Sequence, residues 1–94
     1  MVKEDIKNIL VQRGYGERNA EIASYELMEI SDELTPLMEQ WLKDENSQKD
    51  YSVHGHTIKE FVNTGMKYPA ALLTIDWLIK DPKVALKSIS KGIR

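Results

Sequence analysis

A histidine pair, a row of lysines and a set of carboxylates are the side chains whose types and spacing could do chemistry. His54 and His56, separated by Gly55, are the only histidines in the chain. Residues two apart share a face on an extended segment, so the two imidazoles could chelate a transition metal there. The nearest further ligand is Asp50, and the spacing matches no zinc signature. The plainer reading is a polar connection ahead of a helix, and no metal or other cofactor is expected. Lys80, Lys83, Lys87, Lys91 and Arg94 recur at helical spacing and form one basic stripe. Such a row suits the phosphates of nucleic acid or an acidic protein surface, although lysines near a helix end also simply complement its dipole. Glu26, Glu29, Asp32 and Glu33 fall on the outer side of a helix, as a solvated face does. Asp76 differs, because it interrupts an apolar run and has Lys80 four residues on, the favourable order for a helical ion pair. No glycine-rich phosphate loop and no nucleophile elbow occurs, and Gly14-Tyr15-Gly16 is too short to cradle a phosphate. The expectation is a chain that is not an enzyme.

The elements that must position these residues read as helices throughout. The 94 residues suit one domain, 1–94, with a modest core; 41% are hydrophobic and 30% charged. Alternation of period two is nearly absent, which predicts an all-α fold: a compact bundle of about five helices, with one short extended segment tolerated near 51–54. The first helix should run from Val2 to Arg13, with Val2, Ile6, Ile9 and Leu10 as its stripe and Gly14 at its end. The second should begin near an Asn19 cap and run longest. Its seam is Ala23, Leu27, Ile30, Leu34, Leu37 and Trp41, in phase at spacings of three and four across Pro36. Either Pro36 kinks this helix or Thr35 caps a new one; the unbroken phase favours the kink. Residues 43–50 carry no apolar side chain and read as an exposed loop. Thr57-Ile58-Lys59-Glu60 is a capping box opening the third helix, which Gly65 ends. A fourth helix starts at Pro69 and is apolar nearly all round, so it should be central or covered by a partner. Asp81-Pro82 caps and starts the fifth, with Gly92 beyond its end.

Charge is divided along the chain. Residues 17–50 hold three basic and ten acidic residues, and residues 51–94 hold seven basic and three acidic, against a total of −2. The acidic middle and basic end could attract one another within one chain or between two. There is no cysteine, which excludes disulfides and thiolate chemistry and favours a reducing compartment. No signal peptide or membrane span is recognisable, so a cytoplasmic protein without a membrane partner is expected. Among the aromatics, Tyr68 beside Pro69 is the one expected at the surface. A helix-turn-helix around Gly65 fits the residues poorly: its would-be recognition helix offers Leu, Ile, Ala and Trp rather than polar and basic groups.

These readings point to a non-enzymatic helical interaction module, self-associating or docked on a protein partner, with Tyr68, Trp77, Lys83, Lys87 and Lys91 as candidate partner-binding residues. It is of the general kind seen among small cysteine-free helical proteins of bacteria and phages, a likeness of class that implies no activity. The alternative is a nucleic-acid-associated accessory protein using the basic stripe, with nucleic acid the less expected partner. No small-molecule substrate is evident.

Overall fold

The described residues form six helices and one minimal hairpin, one helix more than the sequence predicts. The structure, a computed structural model, describes residues 2–91. In chain order the elements are α1 (Lys3–Gln12), α2 (Glu17–Met28), α3 (Thr35–Lys43), β1 (Ser52–Val53), β2 (His56–Thr57), α4 (Ile58–Asn63), α5 (Tyr68–Lys80) and α6 (Pro82–Ser90). The all-α reading holds. The expected boundary at Gly92 and the last member of the basic stripe, Arg94, lie outside the described residues.

α1 and α2 form a hairpin closed by a Schellman turn at Gly14. Its φ of +95° is a conformation that suits glycine, and it lets the Gly14 and Tyr15 N–H groups donate to the Val11 and Leu10 carbonyls at 3.1 Å each. Ile6 and Leu10 of α1 are fully buried. The Lys3 and Lys7 ammonium groups meet the Glu21 carboxylate of α2, the latter at 3.0 Å, and these hydrogen bonds hold the Glu21 carboxyl below its ordinary pKa. α2 starts at Glu17, two residues before the expected cap, with Gly16 in the cap position and Asn19 inside the first turn.

The kink expected at Pro36 is instead a break. α2 ends at Met28, residues 29–34 turn, and α3 starts at Thr35 with Pro36 in its first turn. Pro36 has no N–H and would crowd the carbonyl of Asp32 in a continuous helix. The seam still points inward: Leu27, Ile30, Leu34 and Trp41 are buried, and Ala23 and Leu37 are partly so. Two shorter helices with a turn between them bury the same residues that one kinked helix would.

The segment near 51–54 forms a two-residue antiparallel ladder, Ser52 opposite Thr57 and Val53 opposite His56. His54 and Gly55 make the turn, both at positive φ (52° and 81°), as a tight hairpin loop demands. The capping box is present as read: the Glu60 N–H donates to Thr57 Oγ1 at 3.0 Å, and the Glu60 side chain reaches back to the Thr57 N–H. α5 is the central helix and packs against α2, α4, α6 and β1. It buries Tyr68, Pro69, Ala71, Leu72, Ile75, Asp76 and Leu78. α6 lies against it through Ala85, with Leu86 and Ile89 partly buried; Asp81 precedes α6 without a side-chain cap bond. The radius of gyration, 12.8 Å, is close to the roughly 12 Å expected for a compact chain of this length.

Candidate interaction face

A buried polar cluster sits where α5 meets the α2–α3 break. Asp76, buried on α5, accepts from the Ser31 backbone N–H at 2.8 Å and from the Ser31 hydroxyl at 2.5 Å through one carboxylate oxygen. Its other oxygen pairs with Lys80 Nζ at 2.9 Å, the pairing its spacing predicted. Lys80 also donates to the Glu29 carbonyl, the backbone acceptor left open where α2 stops. A broken helix frees backbone donors and acceptors that must find partners. Two α5 side chains supply them within the turn, at Glu29 and Ser31. The arrangement is a latch: the Asp76 charge is met by an ammonium group and by two hydrogen bonds from one serine.

The histidines do not converge. His54 is exposed at the hairpin turn, whereas the His56 ring bonds Glu60 at 2.9 Å and stacks on Phe61 with centroids 5.9 Å apart. Asp50, the third residue considered for a metal, accepts from the Tyr51 and Lys59 backbone N–H groups at 2.9 and 3.0 Å. Among the described residues no group of three or more histidine and carboxylate side chains is placed to hold a metal ion.

Tyr68, expected at the surface, is buried, with 2% of its area exposed. Its ring stacks on Trp41 at 6.1 Å, and its hydroxyl donates to the Lys49 carbonyl at 2.7 Å. Burial, reinforced by the Asp50 charge, pushes the phenol up to about 12. The loop carbonyl gives the hydroxyl a partner that lets the ring go inside. Arg13 lies over the Trp41 ring, 4.5 Å from its centroid, and donates to the Trp41 and Leu42 carbonyls at 2.6 and 2.8 Å. Tyr68 is therefore a core residue and leaves the candidate partner-binding set.

Trp77 is partly exposed and lies in a groove between α2 and α5. Two adjoining hollows make up the groove. One, about 470 Å³, is lined by Tyr25, Glu26, Glu29, Leu73, Asp76, Trp77 and Lys80. The other, about 450 Å³, runs on past Ile22, Ala23, Pro69 and Ala70 to the Gly14–Gly16 turn, and both share Glu26 and Leu73. Its α2 wall is exposed and apolar: Ile22 keeps 51% of its area exposed and Tyr25 60%, with Met28 nearby on the same helix at 48%. Lys3 Nζ sits 4.1 Å from the Tyr25 ring centroid and holds one face of that ring. Lys83, Lys87 and Lys91 are exposed on and just past α6, outside the residues lining the groove. The signal that could have found the groove is the spacing of Ile22 and Tyr25, a second apolar stripe offset from the buried seam.

Compared with protein-family models, with curated proteins and with solved structures, the chain matches none.

Proposed function

We propose that the protein is a non-enzymatic helical interaction module that presents the α2–α5 groove to a protein partner. The observation that carries this reading is the exposed apolar wall of α2, Ile22 and Tyr25, facing Leu73 and Trp77 across an open groove. An apolar groove rimmed by polar residues suits a protein contact. Measured along α2, the groove extends from Gly16 to Glu29, about 20 Å at the helical rise, which suits a helix laid lengthwise better than an enclosed small molecule. The polar groups at its floor, Asp76 and Lys80, are already engaged with Ser31 and Glu29, which supports a docking surface over a reaction centre. Among the described residues no helix is long and apolar enough to cross a membrane. A domain this small with no disulfide to stabilise it suits a reducing compartment, and the proposed location is the cytoplasm.

The test is a photo-cross-linking residue at Ala70, an exposed position on the α5 wall, with Gln40 on α3 as control. The expected result is a discrete protein adduct from Ala70 in cells and none from Gln40. Equal labelling from both positions would contradict the reading. The nucleic-acid alternative draws on the exposed Lys83, Lys87 and Lys91. The acidic α2–α3 surface would repel the same phosphates, so no binding of short duplex DNA or single-stranded RNA is expected by fluorescence anisotropy at about 150 mM salt.

A further inference from the structure

The groove has charge as well as shape. Glu26 and Glu29 lie on its α2 side, three residues apart and so on one helical face, and neither side chain meets a cation among the described residues. They belong to the stretch of the chain, residues 17–50, with the acidic excess. The complementary surface is on the same molecule. α6 exposes Lys83 and Lys87, four residues apart on one face, with Val84 half-exposed beside them; neither lysine meets a carboxylate among the described residues. α6 has nine residues, about 13 Å, and fits within the roughly 20 Å of the groove. It begins at Pro82, two residues past Lys80 at the groove's end, so groove and basic helix adjoin. That placement lets two copies exchange the same pair of surfaces reciprocally.

We propose that the occupant of the groove is α6 of a second copy of this chain, with Lys83 and Lys87 of one copy set against Glu26 and Glu29 of the other and Val84 over the apolar Leu73 and Trp77. The proposal rests on the groove being an interaction surface and names what fills it.

Sedimentation equilibrium of the full chain is the test. The wild type should form dimers that weaken as salt is raised, since the paired charges are at the surface. Glu26→Lys/Glu29→Lys and Lys83→Glu/Lys87→Glu should each weaken association by about tenfold or more while circular dichroism stays that of the wild type. An equimolar mixture of the two should regain dimers, because the lysine-bearing α6 of the first meets the glutamate-bearing groove of the second. A wild type that stays monomeric at every concentration, variants that associate like the wild type, or a mixture that stays monomeric would each overturn the proposal. A monomeric chain whose Ala70 adduct contains a different protein overturns the second-copy occupant and leaves the groove reading standing; absence of any Ala70 adduct removes both.

Discussion

α2 and α5 are the two walls of one groove and have opposite relations to the core. α5 is by far the more apolar helix, and most of its apolar residues are buried against α2, α4, α6 and β1, with Ala70, Leu73 and Trp77 left at the groove. α2 is far less apolar, and it is the helix that leaves Ile22, Tyr25 and Met28 in solvent. An all-round apolar helix is covered here by its own chain. The more exposed wall belongs to a helix whose inward seam is already satisfied by Ala20, Ser24 and Leu27, so that its second stripe has nothing left to pack on. What marks a candidate docking face is the phase of its apolar residues relative to the buried seam rather than their number.

That contrast can be broken first at its strongest point. Leu72 on α5 is fully buried, so Leu72→Ala should cost about 2–5 kcal/mol by urea denaturation, through lost transfer energy and the cavity left behind. A cost under about 1 kcal/mol would mean that α5 is not the centre of the core. The latch comes next. Asp76→Ala removes the acceptor for the Ser31 N–H and the partner of Lys80, and should cost about 1.5–3 kcal/mol, the range for hydrogen bonds to a charged group. Asp76→Asn, which keeps an acceptor for Ser31 but not the charge facing Lys80, should cost less. The buried end of α5 carries its own pH signature. Below the ordinary tyrosine range the Tyr68 phenol is protonated whether the chain is folded or not, and its contribution is complete. From pH 10 to about 12 the unfolded chain loses this proton first, so stability should fall with rising pH across that window. Titration of tyrosinate absorbance alongside alkaline unfolding reads this directly; Tyr68→Phe should remove the late-titrating phenol.

Much of the scaffold was legible in local sequence. The capping box at Thr57 and Glu60, the turns at Gly14 and Gly65, and the proline that starts α6 are each decided by residues within a few positions of one another. The break before Pro36 was not legible, because what stabilises it comes from Asp76 and Lys80, 45 and 51 residues away from Ser31 and Glu29. The unbroken seam pointed to a kink, since the same inward residues serve one helix or two. Tyr68 misled for a related reason: its place at a helix start beside Pro69 suggested a surface position, but a carbonyl 19 residues away, that of Lys49, receives its hydroxyl inside. Of the candidate partner-binding residues, Trp77 lies in the groove and the lysines lie exposed outside it. Ile22 and Tyr25 were visible as residues, yet nothing in the sequence told which stripe of α2 the rest of the chain would cover.

The smallest expected effect on folding falls on the apolar wall of α2. Ile22→Ser/Tyr25→Ser changes only side chains already more than half in solvent, so unfolding free energy should stay within about 0.5 kcal/mol per site. In that background the measurement to make is the yield of the Ala70 photo-adduct. If the apolar wall of α2 is the docking face, the folded double variant loses the adduct; an adduct formed at the wild-type yield would contradict the central claim.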